Sequence, residues 1–382
     1  MNLRSLFQAL TEPASTWNAI AELDASHNRL DHLESRGTNL EANGFGKEGV
    51  SMNDPTILVD SVAVDPLIDH PVDSHVFDQF LKRCKNLPPL TTSVCWPLSD
   101  VALSGAVEAA IAGIIKPTLV GPTDQLRALA KKIGVDISCY PIVDAATEEK
   151  AAQISVAMCR EDRAQAMMKG SLHTDEFMRA VIARETGLRT SRRISHVFVT
   201  DTPAYARTLM ITDAAINIEP DLEDKIHIVQ NAIDLAHALG IPEPKVALLS
   251  AVETVNPKIK STLDAAALCK MADRGQITGG VLDGPLAFDT AVSAKAAQIK
   301  GLISRVAGQA DILVVPDLES GNMLAKQLEY LGGAQLAGIV LGTKVPVILT
   351  SRADSAATRL TSCAVAVLLH YSNNPVDQKR RD

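Results

Sequence analysis

From about residue 90 to the end of the chain, short apolar runs alternate with amphipathic stretches of helical length. Ser195–Thr200 and Val246–Ala251 have the length and composition of strands. Between them, Asp221–Leu239 carries apolar residues three and four positions apart, and Gly240 and Pro242 follow it as they often follow a helix. Strands joined by helices of this length form parallel β-α-β units, so the sequence predicts an α/β fold.

Nine apolar runs in this part of the chain are predicted to be strands. They are Thr118–Val120, Ala166–Met168, Ser195–Thr200, Ala214–Asn217, Val246–Ala251, Gly280–Leu282, Ile312–Val315, Gly338–Leu341 and Val345–Thr350. Further helices are predicted over Thr123–Ile133 and Ala291–Val306, and another from an N-cap at Asn256. Nine strands are many for one sheet of average size, so two linked α/β domains are predicted.

Residues 1–84 differ in composition from the rest, because they are rich in Asn, Asp, His and Ser and have weak apolar periodicity. Leu3–Leu33 and Ser74–Lys85 are predicted to be helical, and Gly37–Ser51 is predicted to be a loop. Pro88 and Pro89 mark a boundary between this N-terminal region and the rest of the chain. We expect an N-terminal extension over residues 1–84, without catalytic residues, that is partly flexible or used in oligomer contacts.

Composition excludes several classes of function. Aromatic residues make up only 3% of the chain, which is too few for a base-stacking nucleic-acid surface. The formal net charge of −8 leaves no basic footprint for nucleic acid across the chain. The apolar stretches are too short for a membrane span, and we expect no secretory signal, because the first residues lack a long apolar run and a cleavage site. We therefore expect a cytoplasmic protein that binds small molecules and neither nucleic acid nor a membrane.

Cysteine and histidine usage argues against disulfides and metals. The six cysteines are scattered without a C-x-x-C pair, so we expect buried thiols in a reducing compartment. The nine histidines form no H-E-x-x-H motif and no Cys/His cluster, so no metal site is predicted.

Polar residues are dense where four of the predicted strands end. Lys169 and Gly170 close one strand just before a helix, either as an anion-binding turn or as an ordinary loop with a surface lysine. Asp283 and Gly284 are predicted to end a second strand and turn the chain. Ligands of open α/β sheets bind outside the carboxyl ends of strands, so these turns are candidate sites.

The third and fourth strand ends combine carboxylates, hydroxyls and a guanidinium. Asp317 and Asn322 lie in one loop between a strand and a helix, where capping is the alternative explanation for Ser320 and explains the whole cluster less easily. Ser351 and Arg352 follow the last strand, and Asp354 precedes a helix. Arginine binds phosphate bidentately and the amides at a helix N-terminus complete its shell, whereas the alternative is a capped helix with an exposed arginine.

Common nucleotide and hydrolase motifs are absent from the sequence. There is no G-x-x-x-x-G-K-[ST] P-loop, no G-x-G-x-x-G following a strand and no G-x-S-x-G nucleophile elbow. The chemistry is therefore expected to involve anions that are held by loops.

Five segments, in their order along the chain, resemble the phosphate acetyltransferase and phosphate butyryltransferase family. They are Leu98–Pro122, Met168–Arg193, Asp283–Ala291, Pro316–Leu328 and Pro346–Ser355. The resemblance covers about residues 88–376 and implies reversible transfer of a short acyl group between coenzyme A and phosphate. It also implies two α/β/α domains around a cleft, like those of isocitrate and isopropylmalate dehydrogenases, in a homodimer. The first domain would comprise residues 85–196 with 341–382, and the second residues 197–340.

The resemblance also implies roles for site residues. Ser351 would hydrogen-bond at the reacting carbonyl and Arg352 would hold phosphate. A carboxylate would deprotonate the CoA thiol when acyl phosphate is consumed. Here the chain departs from the acetyl-type pattern, because the position of that base is Thr358 and the position of a second family arginine is Tyr330.

The base is therefore left open among three carboxylates, and other groups are expected to complete the substrate site. The candidate bases are Asp354, Asp283 and Asp317, and the remaining substrate-binding candidates are Lys169, Gly170, Arg193, Gly284 and Asn322. Coenzyme A would be a substrate, with no permanently bound cofactor and no metal.

Acetyl transfer is the main functional hypothesis, and butyryl transfer is its alternative. An isocitrate-type dehydrogenase would need a cluster of aspartate metal ligands and an NAD(P) loop, and a synthase with acyl-carrier-protein donors would need a basic docking patch. A non-catalytic protein that binds CoA or acyl phosphate is favoured only by the departures at Thr358 and Tyr330.

Overall fold

The structure is a computed structural model and describes residues 76–351 and 354–374 of the 382. The predictions for Leu3–Leu33, Gly37–Ser51 and Arg352 concern residues outside these ranges. The described strands are β1 Leu90–Cys95, β2 Ile115–Gly121, β3 Ile142–Asp144, β4 Ala166–Lys169, β5 Ser195–Thr202, β6 Tyr205–Thr212, β7 Lys245–Leu249, β8 Val281–Leu286, β9 Ile312–Val314, β10 Gln335–Leu341 and β11 Val347–Ile348.

The helices of the described residues lie mostly between these strands. They are α1 Val76–Cys84, α2 Asp100–Ile111, α3 Thr123–Ile133, α4 Glu148–Arg160, α5 Thr174–Ile182, α6 Leu222–Ala238, α7 Lys260–Asp273, α8 Phe288–Val292, α9 Ala294–Ile299, α10 Leu318–Tyr330 and α11 Ala356–Asn373. None of these helices is both long and apolar enough to cross a membrane.

All eleven strands belong to one sheet, in the order β3-β2-β1-β4-β11-β10-β5-β6-β9-β7-β8. The first parallel block consists of β3, β2, β1, β4 and β11, and the second parallel block consists of β6, β9, β7 and β8. Antiparallel strands β10 and β5 join the two blocks. The strand count favours two linked α/β domains, and the antiparallel connection joins all eleven described strands into one hydrogen-bonded ladder.

The two parallel blocks run in opposite directions, because three antiparallel pairings separate β11 from β6. The carboxyl ends of the first block therefore lie at one edge of the sheet, which we call the Ser351 edge. The carboxyl ends of the second block lie at the other edge, which we call the Asp317 edge. Residues expected to share one site are divided between these edges.

Helices cover both faces of the sheet. One hydrophobic cluster, which includes Leu103, Ile233 and Val365, extends along one face across both blocks. Two smaller clusters lie on the other face, around Phe177 and around Leu336. Alternate residues of single strands enter opposite clusters, as expected for a sheet buried on both faces.

Helix α1 belongs to the packed core. Phe77, Phe80 and Cys84 are buried in the cluster that contains Leu103 and Val365. The helix predicted over Ser74–Lys85 is thus present from Val76 onward. The packed core begins before residue 85, the boundary that the sequence predicted, because these aromatic side chains need burial.

Several predicted elements differ from the observed ones. Ala214–Asn217, predicted as a strand, is a loop that follows β6, and strands β1, β3 and β6 were not predicted. The helix predicted from Asn256 begins at Lys260, because Asn256 instead hydrogen-bonds with the Thr262 hydroxyl and with the Lys258 N–H. The helix predicted over Ala291–Val306 is broken at Ser293, which caps α9.

The six cysteines are free thiols. Four of them are buried as predicted, and burial raises the pKa of the Cys84, Cys95 and Cys363 thiols to about 12. The prediction is wrong for Cys139, which is exposed, and Cys269 is half-buried.

Candidate active site

The end of β4 packs directly against the end of β1 at the Ser351 edge. Gly170 N donates to Cys95 O at 2.8 Å, and the Ser171 N–H and hydroxyl both donate to Trp96 O at 2.9 Å. A Cβ atom at Gly170 would lie 2.5 Å from Cys95 O, so only glycine fits this approach. The predicted turn at Gly170 is therefore fixed by a neighbouring strand of the same block.

Lys169 ends β4 with its side chain almost fully buried, at 1% exposure. Its ammonium lies 3.5 Å from Gly170 O. The alternative interpretation of Lys169 as a surface lysine is wrong, because the side chain points into the protein beneath the turn. Its place at the end of β4 puts the Lys169 ammonium at the Ser351 edge.

Ser351 follows β11, the strand beside β4, so the two loops are neighbours at this edge. Ser351 is exposed, and its N–H donates to Asp354 Oδ2 at 2.6 Å. Burial raises the pKa of the Asp354 carboxyl, whereas the hydrogen bond from Ser351 and the Lys326 ammonium lower it. Asp354 is thus a buried carboxylate directly behind the predicted serine.

Arg359 is a site residue that the sequence interpretation missed. It lies one turn into α11 with no exposed surface, and it donates to the Thr350 hydroxyl at 2.8 Å and to Ser351 O at 2.9 Å. A signal was present, because Arg359 is the only Lys, Arg, Asp or Glu in the otherwise apolar and small-residue helix α11. A lone charge in such a helix indicates a buried, paired side chain.

The C-terminal half of α10 also reaches this edge, although α10 begins at the other one. Lys326 Nζ lies 2.8 Å from Glu329 Oε2 and 5.6 Å from the centre of the Tyr330 ring. The Lys326 ammonium lowers the pKa of Asp354 and the Glu329 carboxylate raises it, so both act on that carboxyl electrostatically. The second block therefore supplies charged groups to the site through a helix and not through strand ends.

Asp283 and Asp317 are not brought together with Ser351. Asp317 lies at the Asp317 edge, where it caps α10 by accepting from Ser320 N at 2.8 Å and from the Ser320 hydroxyl at 2.7 Å. Asp283 lies within β8 and does not end a strand, because β8 extends to Leu286. Five strands separate β8 from β11 in the sheet.

Arg193 lies away from Ser351 as well. It precedes β5 at the Asp317 edge, about 20 Å from Ser351 along the strand direction at 3.3 Å per residue. Its guanidinium donates to Asn217 Oδ1 at 2.8 Å and pairs with Asp224 at 2.9 Å. These partners account for Arg193 as a structural residue.

Gly284 and Asn322 also have local structural contacts. A Cβ atom at Gly284 would lie 2.7 Å from the Leu248 side chain, so glycine is needed for close packing of β8 on β7. Asn322 Nδ2 donates to Ala214 O at 3.3 Å, which ties α10 to the loop after β6.

Thr358, at the position implied for the base, belongs to the N-terminal turn of α11. Its N–H donates to Ser355 Oγ at 3.1 Å, and the two hydroxyls are 3.1 Å apart. Helix capping accounts for these contacts. Over residues 76–351 and 354–374, no group of three or more His, Cys, Asp or Glu side chains is arranged to hold a metal ion.

Comparison with known proteins shows the family of this chain. Residues 149–367 match the family model described as phosphate acetyl/butaryl transferase. The chain is 58% identical to a phosphate acetyltransferase of Rhizobium meliloti over 298 residues. These residues are 78% of this chain and 94% of the relative. The chain belongs to the phosphate acetyl/butyryl transferase family. The resemblance found from the sequence is therefore confirmed.

Further members of the family span the same part of the chain. A phosphate butyryltransferase of Clostridium acetobutylicum is 43% identical over 293 residues, which are 77% of this chain and 97% of the relative. The crystal structure of a branched-chain phosphotransacylase from Enterococcus faecalis superposes with a TM-score of 0.66 at 31% identity, covering 74% of this chain and 99% of that one. The predicted α/β class is confirmed, and both acetyl-type and butyryl-type enzymes are among the relatives.

Proposed function

We propose that the chain is a phosphate acetyltransferase, which converts acetyl-CoA and phosphate into acetyl phosphate and CoA, reversibly. The observation that carries the proposal is the 58% identity to the Rhizobium meliloti phosphate acetyltransferase over 94% of its length. The groups at the Ser351 edge suit this chemistry, since a hydroxyl, a buried ammonium and a buried carboxylate converge on two adjacent strand ends.

The proposed reaction is direct attack in a ternary complex. A phosphate oxygen bonds to the acetyl carbonyl carbon, the carbon–sulfur bond breaks, and the thiolate of CoA leaves and takes up a proton. Ser351 would donate its hydroxyl to the carbonyl oxygen as negative charge develops there. Lys169 and Arg352 would hold the phosphate, and positioning of the two substrates would supply much of the rate enhancement.

Asp354 is proposed as the base that takes the thiol proton in the reverse direction. Among the three carboxylates considered, it is the one at the Ser351 edge, and its pKa is raised by burial. A raised pKa moves a carboxylate towards the range in which it exchanges protons at neutral pH. Asp283 and Asp317 are removed from the proposal by their positions in the sheet.

The two parallel blocks are proposed to be two α/β/α domains on either side of a cleft, with an arrangement like that of isocitrate and isopropylmalate dehydrogenases. Pairing of β11 with β4 supports a first domain that is split in sequence. We propose a homodimer in the cytoplasm, with coenzyme A as a substrate. Light scattering of the purified full chain measures its mass and tests the dimer.

Butyryl transfer is the second candidate, because a butyryltransferase at 43% identity and a branched-chain phosphotransacylase structure cover the same residues. The test mixes the full chain with CoA and with acetyl, propionyl or butyryl phosphate, and follows thioester absorbance. The highest kcat/KM with acetyl phosphate supports the proposal, and the highest with butyryl phosphate supports the alternative. No turnover with any of the three contradicts both.

A further inference from the structure

Arg359 forms hydrogen bonds with residues at two adjacent strand ends, those of β4 and β11. Its guanidinium donates to the Thr350 hydroxyl at 2.8 Å, to Ser351 O at 2.9 Å and to Lys169 O at 3.4 Å. Thr350 and Ser351 follow β11, whereas Lys169 ends β4. The planar guanidinium with several fixed donors suits one side chain to bridge two backbone segments in this way.

The complete burial of Arg359 is unusual for a charged side chain. It requires hydrogen-bond partners for the guanidinium and space for the side chain. The residue has no exposed surface, and burying an unpaired guanidinium costs several kcal/mol in general. Helix α2 provides the space through Gly105, where a Cβ atom would lie 2.7 Å from Arg359 Cδ and 3.2 Å from Arg359 Cβ. The fold thus keeps a glycine on one helix to admit an arginine from another.

The peptide groups on both sides of Ser351 are fixed by charged side chains. The Ser351 N–H donates to Asp354 Oδ2 at 2.6 Å, and the Ser351 carbonyl accepts from Arg359 at 2.9 Å. With both groups held, the direction of the Cα–Cβ bond of Ser351 is set by the backbone. Arg359 itself is enclosed beneath the loop and contacts backbone and a hydroxyl of the protein.

We propose that Arg359 is a positioning residue, which orients Ser351 and the Lys169 turn so that the serine hydroxyl meets the reacting carbonyl. The inference rests on the proposed acyl transfer. Since a displacement of about 1 Å can cost about 10²-fold in rate, loss of Arg359 should lower kcat by about that factor. The KM for CoA should change little, because Arg359 is placed behind the loop and away from substrate.

The test compares Arg359→Ala and Arg359→Lys with the wild-type full chain, measuring kcat and KM for CoA and acetyl phosphate. Guanidinium chloride, at concentrations too low to unfold the protein, should restore part of the kcat of Arg359→Ala, and sodium chloride should not. Arg359→Lys should retain more kcat than Arg359→Ala because it keeps one charged donor. A merely structural role would give no rescue specific to guanidinium.

Gly105→Ala tests the same contact from α2, with both loop sequences unchanged. Gly105→Ala should lower kcat, and its circular dichroism spectrum should remain that of the folded protein. If the Arg359 variants do not fold, Gly105→Ala alone tests the positioning role. The control is Lys225→Ala, which removes another buried cation, paired with Asp264 at 2.6 Å in the second block. It should lower the melting temperature without a selective loss of kcat.

The outcomes separate this role from the proposed function. An active wild type, with a fall in kcat for Arg359→Ala that guanidinium reverses, supports the positioning role. An active wild type with unchanged kcat in Arg359→Ala and Gly105→Ala overturns the role and leaves the acyl transfer standing. Absence of turnover in the wild type with all three acyl phosphates contradicts the proposed function, and the positioning role with it.

Discussion

The Asp354 carboxylate accepts a hydrogen bond from the N–H of Ser351 at 2.6 Å, although burial raises the pKa of this carboxyl. The Asp354 side chain therefore orders the loop at Ser351, although burial disfavours its charged form. Groups that serve a reaction often cost stability where they stand, and this pair permits a direct measurement of that cost.

We predict that Asp354→Asn is more stable than the wild type at neutral and alkaline pH. With a raised pKa the folded state binds a proton more readily than the unfolded chain, so wild-type stability falls as pH rises through that pKa. Asparagine keeps an oxygen for Ser351 N–H and carries no charge. The gain in melting temperature should be largest above the raised pKa and should shrink as the pH falls through it towards the ordinary aspartate pKa.

The same substitution should lower turnover of acetyl phosphate with CoA by about 10²-fold, since an amide cannot accept the thiol proton.

Asp136→Asn is the control for the pH dependence of stability. Asp136 is exposed, and a backbone hydrogen bond lowers its pKa, whereas burial raises the pKa of Asp354. A wild type that becomes more stable, relative to Asp354→Asn, as the pH rises from the ordinary aspartate pKa to neutral would contradict the raised pKa of Asp354.

Ser351→Ala should reduce kcat by about 10²-fold, the usual cost of losing one preorganised donor to a developing oxyanion. Thr358→Ala, seven residues further on, should leave kcat nearly unchanged, because its contacts with Ser355 belong to the helix cap. Steady-state rates of both variants provide the measurement. Equal losses in the two variants would show that Thr358 takes part in the reaction.

Gly170→Ala should lower both stability and kcat. The added Cβ would fall 2.5 Å from Cys95 O, and overpacking of this kind costs about 1–3 kcal/mol. The Lys169 turn would have to move to relieve the contact. Thermal unfolding and steady-state kinetics measure the two effects.

Gly134→Ala is the matched control for Gly170→Ala. Gly134 caps α3 with φ +73°, and nothing lies within 4 Å of an added Cβ there. It should lose about 1 kcal/mol of stability from backbone strain while its kcat stays that of the wild type. Similar kinetics in the two glycine variants would argue against a role for the Lys169 turn.

Asp317→Ala should cost about 1 kcal/mol of stability because it removes the N-cap of α10. Asp317→Asn, which retains a capping oxygen, should lose much less. Neither substitution should lower kcat, and Asp283→Asn should not lower it either, since both aspartates lie far from Ser351 in the sheet. A loss of kcat in Asp317→Asn as large as that in Ser351→Ala would place a catalytic group at the Asp317 edge.

Part of the first parallel block was predicted from the sequence, because β2, β4 and β11 were predicted and β1 and β3 were missed. The loops at Lys169 and Ser351 end short apolar runs, and carboxyl ends of neighbouring parallel strands meet at one edge. The direction of the second block was not predictable, because β6 was missed. Its sequence, YARTLMIT, begins with polar residues and follows β5 after a turn of two residues, so no helix separates the two strands. Without this antiparallel strand, β7, β8 and β9 would be assigned the direction of the first block, which is opposite to the one observed.

Arg359 was missed for a different reason. Most helical arginines are exposed, so the usual assignment of a helical arginine to the surface outweighed the signal of a lone charge in α11. Its burial depends on Gly105 and on the ends of β4 and β11, which are far from it in the chain. Contacts between residues so far apart in the chain depend on tertiary packing, and local periodicity in the sequence does not predict them.

The pairing of β4 with β11 has a consequence for biosynthesis. During translation, β4 has one open side until residues 347–348 leave the ribosome, because β1 covers only the other side. An unpaired apolar strand is a template for aggregation, so the chain must be made as far as residue 348 before this hazard ends. Chains that terminate early would expose the β4 side and lack Ser351, and they would be substrates for chaperones and proteases.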